Sequence, residues 1–423
     1  MILWNGKVLP NDKQNEVIDG LKEEIIHTLS FTSSPTINEV IEACGTLYDR
    51  FLAHSYDEIA LPLLNALNLS PAALEHYSYP FSRDGLKKKV ETELGALSKG
   101  PLKLDKNNER ERYPLGVLFH IAAGNVDLLP AFSVIEGLLA GNINLLKLPT
   151  GDNGLSVKLL SELIKIGPNL APYIYVFDVP SIETETIKKL SSLADATIVW
   201  GGEEAEKAAR DFVDVHSHLI VWGHKISFAY VDSSVSDAGL KELSKSICLT
   251  NGLFCSSAQG IYFDTDDKDE LEAFGKRFIE IFASTSKMEG AAPLTMRAKN
   301  SLSIYNDKLE GKPGIILTKD EVSTRILPGD KLELSYLFRD VWIKALPRQN
   351  IIKALKENRK LLQTAAVEVN PLHYKEVSDY FSKAGITRIV KLGDSSRMIA
   401  GESHDGEYPL MRYSRIVERY LLK

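Results

Sequence analysis

PLGVLFHIAAGNVDLLPAFSVIEGLLAGNINLLKL (114–148) holds two short apolar runs separated by a longer one, and this spacing decides the fold. GVLFHIA (116–122) is short and lacks polar alternation, so it reads as a strand buried on both faces. Gly124-Asn125 turns the chain, Leu128–Leu139 has the length of a helix, and Ala140-Gly141-Asn142 stops it. INLLKL (143–148) is a second strand of the same kind. The pattern continues outward through helix 154–166, strand 173–179, helix 182–193, strand ATIVWGG (196–202) and helix EEAEKAARDFV (203–213). Strands alternating with helices predict an α/β fold with a parallel sheet covered on both faces.

Upstream, residues 14–81 read as helices, and Thr36 with Glu39 has the pattern of a capping box. KLDKNNERER (103–112) reads as an exposed loop or the crest of a hairpin. Downstream, HKISFAYVD (224–232) opens a second series. A helix near Asp237–Cys248, strand GIYFD (260–264) and a long helix through Phe282 follow. The stretch 313–347 is strand-rich and irregular. Helix Gln349–Leu362, helix Tyr374–Ala384, strand ITRIVKLG (386–393) and a strand-like run at the end complete it.

With 423 residues the chain predicts two or three packed units. Its 44% apolar and 25% charged content is that of an ordinary globular protein, and a net charge of −7 speaks against a nucleic-acid binder. Three cysteines make no disulfide framework, which points to a reducing compartment. MILWNGKVLPND lacks the basic start and apolar run of a secretory signal. The longest apolar region, Pro114–Pro149, carries Asp127 and Glu136 and is broken by glycines, so no membrane span and a cytoplasmic location are expected.

Cys255 lies in LTNGLFCSSAQG (249–260), between a helix and a strand. Small polar neighbours on a glycine-containing loop allow a thiol to meet a ligand, and a thiolate is a strong nucleophile. The competing reading is a small buried hydrophobe, which suits Cys44 and Cys248 on their amphipathic helices better. Asn125 is able to offer an amide N–H to a developing oxyanion, although asparagine after glycine is also an ordinary turn residue. His120, inside its strand, reads as a hydrogen-bonded core histidine. Gly201-Gly202 stands between a strand and a helix start, where backbone N–H groups attract phosphate, but it is not the three-glycine dinucleotide fingerprint. Lys147, at a strand end, is placed to reach a ribose or phosphate, or simply solvent. His216 and His218 have no further metal ligand at usable spacing.

Together these pieces resemble the aldehyde dehydrogenase superfamily, and within it the acyl-CoA reductases of the LuxC, or fatty-acid reductase, type. PLGVLFHIAAGNV (114–126), AGNINLLKL (140–148), TIVWGG (197–202), VWGHKIS (221–227) and NGLFCSSAQ (251–259) follow the superfamily's order, while LQTAAVE (362–368) and HDG (404–406) resemble the LuxC branch. The resemblance covers residues 114–423. It implies two α/β domains with the active site between them and a terminal oligomerisation element. The divisions expected are 1–225 for the N-terminal helices with the cofactor domain, 226–392 for the catalytic domain and 393–423 for a C-terminal segment ending in an oligomerisation strand. It implies Cys255 as nucleophile, with Asn125 and the Cys255 N–H as oxyanion hole. Lys147 is implied at the adenosine ribose, Gly201 and Gly202 at the pyrophosphate, and Trp222 among the cofactor-binding residues.

Two departures bear on function. NAD-preferring relatives carry a glutamate where this chain has Thr150, and its loss makes room for a 2′-phosphate, so NADPH is expected over NADH. Hydrolytic relatives carry a glutamate where this chain has Val221, and valine activates no water. An acyl-cysteine here is therefore expected to be resolved by a thiol or by hydride. The glutamate that positions the nicotinamide ribose matches Glu333 or Tyr336, and neither is assigned. The expected activity is NADPH-dependent reduction of a fatty acyl thioester, from acyl-CoA, an acyl carrier or an acyl-transferring protein partner, by a homo-oligomer. The rivals are an aldehyde dehydrogenase releasing acid and a non-catalytic nucleotide-binding scaffold.

Overall fold

The computed structural model describes residues 1–59, 61, 78–122 and 129–422. The chain divides into two compact units, Met1–Gly223 with Met398–Lys423, and His224–Arg397.

In the first unit, β1 (Ile2–Trp4) and β2 (Lys7–Leu9) form an N-terminal hairpin, and β3 (Leu102–Lys103) and β4 (Asn108–Pro114) form a second. β5 (Val117–Ile121), β6 (Ile143–Lys147), β7 (Ile174–Phe177), β8 (Ala196–Gly201) and β9 (His218–Gly223) follow. The sheet order is β2-β1-β7-β6-β5-β8-β9, with β5 to β9 mutually parallel and β1 antiparallel to β7. Helices Leu129–Leu139, Leu155–Ile166, Thr184–Ser192 and Glu203–Phe212 make the crossovers. The contiguous apolar runs form strands because β5 to β8 are covered on both faces. Val117, Leu118 and Phe119 are all buried. From β5 the chain steps outward to β6 and β7, then returns to β8 and β9 on the other side. The carboxyl ends of β5 and β8 thus flank a topological switch point, where ligands bind in open α/β sheets.

In the second unit, β10 (Ile226–Val231), β11 (Ala258–Phe263), β12 (Ile315–Lys319), β13 (Val322–Ile326), β14 (Asp340–Ala345), β15 (Leu362–Glu368) and β16 (Arg388–Val390) give the order β12-β13-β14-β11-β10-β15-β16, parallel except for β12. Two apolar clusters flank this sheet, one centred on the Phe274, Phe278 and Phe282 face of helix Lys268–Met288, the other on Trp342, Tyr230 and Phe381. The last strand, β17 (Ser414–Tyr420), returns to the first unit and pairs antiparallel with β4 in a three-stranded sheet, β17-β4-β3.

Thr36 and Glu39 do form a capping box on helix Ile37–Leu52. The charged run 103–112 is a hairpin, one of the two forms its composition suggests. Asp105 accepts from the N–H groups of Asn107 and Asn108 at its turn, and β4 finds ion-pair partners on β17: Arg110 with Glu418, Arg419 with Glu109 and Glu111. The helix expected at 349–362 is corrected. Helix Ile351–Leu355 is flanked by single 3-10 turns, and Leu362 already pairs with Ile226 in the sheet. No glycine or proline marks that stop, so strand pairing overrides local propensity. The β1–β2 hairpin, β9 and helix Leu294–Leu309 are elements that periodicity alone does not predict.

Candidate active site

Helix Asp237–Thr250 ends where Asn251 and Gly252 take left-handed conformations, φ 50° and 76°. The loop that follows is folded on itself. Thr250 Oγ1 accepts from the Gly252 N–H at 3.3 Å and the Ser257 hydroxyl at 2.8 Å, and the Ser257 N–H donates to the Phe254 carbonyl. Cys255 stands exposed on this loop, just before β11. Its carbonyl accepts from Ser227 Oγ at 2.6 Å, and that oxygen accepts from the Thr364 N–H at 3.1 Å. Its sulfur accepts from Gln363 Nε2 at 3.4 Å. Ser227 is the second residue of β10 and Gln363 the second of β15, so the thiol sits at the amino-terminal edge of three parallel strands. Cys44 and Cys248 are buried, and desolvation pushes their thiols up to about 12 and about 11. Of the chain's cysteines, Cys255 alone is exposed to a substrate.

A second segment holds the loop from one side. Gln259 donates to the Gly252 carbonyl at 2.8 Å and accepts from the Ser335 N–H and hydroxyl, while the Phe338 N–H donates to the Asn251 carbonyl at 2.8 Å. Leu337, Phe338 and Arg339 all have positive φ, 62°, 42° and 73°, a conformation that costs non-glycine residues energy and persists only when surroundings impose it. Asn300 imposes it, donating to the carbonyls of Leu337 at 2.7 Å and Phe338 at 3.2 Å. Of the two ribose-site alternatives, Glu333 pairs with Lys344 at 2.7 Å. Tyr336 donates to Asp307 and lies 4.1 Å from the Arg325 guanidinium.

In the first unit, Lys147 ends β6 almost fully buried, its ammonium donating to the Leu148 carbonyl at 3.0 Å. Burial holds that ammonium below its ordinary value, with Asp178 acting the other way. Reaching a ligand means exchanging that one bond. Thr150 is exposed in the turn beyond. Gly201 closes β8, and Gly202 caps helix Glu203–Phe212. A Cβ on Gly201 would stand 3.0 Å from Ala205 Cβ, whereas the space beside Gly202 is open. Backbone there can be approached closely, as a pyrophosphate requires, so the switch point fits a dinucleotide. Glu203, Glu204 and Glu206 in the first helical turn oppose an anion at the same place.

Trp222 is buried. Its indole N–H donates to the Tyr413 hydroxyl at 3.0 Å, and the ring packs against Trp200 and His404. Val221 points to the opposite face of β9. His120 is the core histidine the sequence suggested. Burial depresses it to about 4, Ser133 Oγ meets Nδ1 at 2.6 Å and Asn144 Oδ1 meets Nε2 at 3.0 Å. Asn144 Oδ1 only accepts, its amide N–H groups going to the Asn142 and Tyr173 carbonyls, so the imidazole proton is on Nε2 and Nδ1 accepts from the Ser133 hydroxyl, whose oxygen in turn accepts from the Trp200 N–H. Asn125 lies outside the described residues. The described residues include no group of three or more His, Cys, Asp or Glu able to hold a metal, and no helix long and apolar enough to cross a membrane.

Sequence reasoning missed Gln363 and Ser227. A lone glutamine entering the apolar run TAAV was the available signal, but only the pairing of β10 with β15 brings it to the thiol.

Solved structures share this fold. The chain superposes on an acetylating aldehyde dehydrogenase from Geobacillus thermoglucosidasius with a TM-score of 0.65 at 13% identity, covering 98% of each chain. It superposes on the glyceraldehyde-3-phosphate dehydrogenase GapN from Methanocaldococcus jannaschii, complexed with NADP, with a TM-score of 0.69 at 12% identity, covering 99% of this chain and 96% of that one. A long-chain acyl-protein thioester reductase from Vibrio harveyi is 24% identical over 72% of this chain, and the chain spans 64% of that relative's length. The model of the family described as acyl-CoA reductase (LuxC) matches residues 32–416. With the aldehyde dehydrogenase fold and a family match over most of its length, the chain belongs to the LuxC family of acyl-CoA reductases.

Proposed function

We propose that this chain reduces a long-chain acyl thioester to the aldehyde through an acyl-enzyme on Cys255, with NADPH as reductant. The observation that carries the reading is the exposed Cys255 thiol, fixed by Ser227 through its carbonyl and met at sulfur by an amide N–H, where the other two cysteines are buried. The Cys255 thiolate attacks the thioester carbon and forms a new C–S bond. The old C–S bond breaks, and the departing thiolate takes a proton from solvent. Asn125 and the Cys255 N–H are assigned to the oxyanion, a role worth about 10²–10³ in rate per donor. Val221 supplies no base for water, so the acyl group waits on sulfur. A bound reduced nicotinamide supplies hydride to the acyl carbon. Cleavage of the C–S bond then returns its electron pair to Cys255 and frees the aldehyde.

Lys147, Thr150, Gly201 and Gly202 are the residues assigned to the dinucleotide, at the carboxyl ends of β6 and β8, with Trp222 packed beside the end of β8. The exposed Thr150 brings no carboxylate against a 2′-phosphate. The family description names acyl-CoA and the Vibrio harveyi relative's name an acyl-protein thioester. Both donors present the same carbonyl to the same thiol. The outer edge of β17, with Ile416 and Tyr420 exposed, is the surface assigned to a second copy of the chain.

The test is intact-mass analysis after incubation with acyl-CoA, without reductant. A thioester adduct mapped to Cys255, absent from Cys255→Ala, is the expected result. Acyl-CoA-dependent NADPH oxidation by Cys255→Ala would refute the assignment.

A further inference from the structure

The carboxamide of Gln363 is buried, 6% exposed, yet it ends on the sulfur of an exposed cysteine. Four features put it there. The pairing of β10 with β15 steps from Ile226↔Leu362 to Phe228↔Ala365, so Gln363 and Thr364 together stand against the single residue Ser227. Such a bulge re-aims a side chain. The Gln363 carbonyl is held on the other side by the Thr387 N–H at 3.1 Å and hydroxyl at 3.3 Å. Ser227 Oγ ties Thr364 and Cys255 together, so one hydroxyl sets the position of both donor and acceptor. The Thr364 hydroxyl approaches Gln363 Oε1 at 3.5 Å, which turns Nε2 toward sulfur.

We propose that Gln363 is a catalytic residue, its Nε2–H donating to the Cys255 thiolate both before acylation and when the aldehyde departs. This rests on the reading of Cys255 as the nucleophile. A hydrogen bond to the charged form favours it, and an amide does so without titrating. Thiolate stabilisation has opposite effects on the two half-reactions. In acylation, a hydrogen bond to a charged group raises the thiolate population by about 10–100-fold. Each tenfold of stabilisation also lowers intrinsic nucleophilicity by about threefold, so the net gain near neutral pH is about 3–10-fold. In the second half-reaction sulfur is the leaving group. Its electron pair returns to an atom already facing an N–H, and stabilisation there only helps.

Gln363→Leu removes the donor, and Gln363→Glu replaces it with an acceptor of the same shape. Circular dichroism and melting establish that each variant is folded. Iodoacetamide alkylation of Cys255 is then followed by peptide mass spectrometry from pH 6 to 10. The expected result is a 3–10-fold slower reaction at pH 7 for Gln363→Leu, a slower one still for Gln363→Glu, and a crossing of the Gln363→Leu and unsubstituted profiles, with Gln363→Leu the faster by about 3–10-fold above about pH 9.5, where the thiol ionises unaided and its unbonded thiolate is the stronger nucleophile. A purely structural glutamine would leave a deficit independent of pH. Alkylation of both folded variants at the unsubstituted rate, or a deficit that persists to pH 10 in Gln363→Leu, overturns the proposal. Failure of the underlying reading looks different, because the unsubstituted protein would then form no acyl adduct at Cys255.

Discussion

At the scale of single residues, the chain's chemistry is divided between positions whose type alone is informative and positions that matter through what the fold brings to them. Thr150 is of the first kind. It is exposed beyond β6, near Lys147, and bears no charge to repel a 2′-phosphate. Thr150→Glu would add a carboxylate suited to ribose hydroxyls. Hydrogen bonds to a charged group are worth about 1.5–3 kcal/mol, so the ratio of kcat/KM for NADH over NADPH should rise by about 10–100-fold; an unchanged ratio removes the case for NADPH. Cys255 is also of the first kind, because a cysteine among Gly, Ser and Ala between a helical and a strand-like run stands out from the residue order alone. Gln363 is of the second. It is one polar residue ahead of an apolar run, and only the bulge in a non-local strand pairing turns it to the sulfur. His120 shows the converse. A histidine in a buried strand carries no signal of use, and its two neutral hydrogen bonds account for it.

At the scale of elements, periodicity located most helices and strands of both series, since long amphipathic helices and doubly buried strands are local patterns. Where it failed, the deciding contacts were distant. HLIVWG becomes β9 because β8 offers an edge, with Trp222 in register with Trp200, and Leu362 leaves the helical run because Ile226 pairs with it. The tripeptide Leu337–Arg339 belongs to this class. Nothing in SYLFRDV announces three left-handed residues in succession, and the donors that impose them come from Asn300, on a helix the sequence did not reveal. That turn bonds to Asn251 at the root of the nucleophile loop, so its strain is coupled to the position of Cys255. Asn300→Ala should release it. A misplacement of about 1 Å costs on the order of 10²-fold in a positioned reaction, so acyl-Cys255 formation should slow by about 10–100-fold in a protein that remains folded. Stopped-flow acylation with an acyl-CoA measures this, and an unaltered rate would separate the strained turn from the thiol.

At the scale of the whole molecule, the first unit is discontinuous, and what returns the C-terminal segment to it is a buried charge cluster as well as a strand. Lys89 bridges Glu93 at 2.6 Å and Glu136 at 2.8 Å. Glu93 also accepts from the Leu410 N–H at 2.8 Å, and the Tyr413 hydroxyl accepts from the Trp222 indole N–H. No local motif encodes that return, because each partner is apolar or charged in an ordinary way. Burial pulls the Lys89 ammonium down, but the two carboxylates outweigh it and the net shift is upward. For Glu136, burial outweighs the lysine, and the carboxyl is raised from 4.5 to about 6. The folded protein therefore binds this proton more tightly than the unfolded chain does. The resulting stabilisation is complete below the unfolded value near 4.5 and is lost as pH rises through about 6. At 1.36 kcal/mol per unit this amounts to about 2 kcal/mol. Glu136→Gln is neutral at every pH, so the stability of the unsubstituted protein relative to this variant should fall by about 2 kcal/mol between about pH 4 and pH 7 in urea denaturation. A difference that instead rises with pH would mean that Lys89 holds Glu136 ionised in the folded protein throughout, and that the clamp on residues 409–413 is a permanent ion pair.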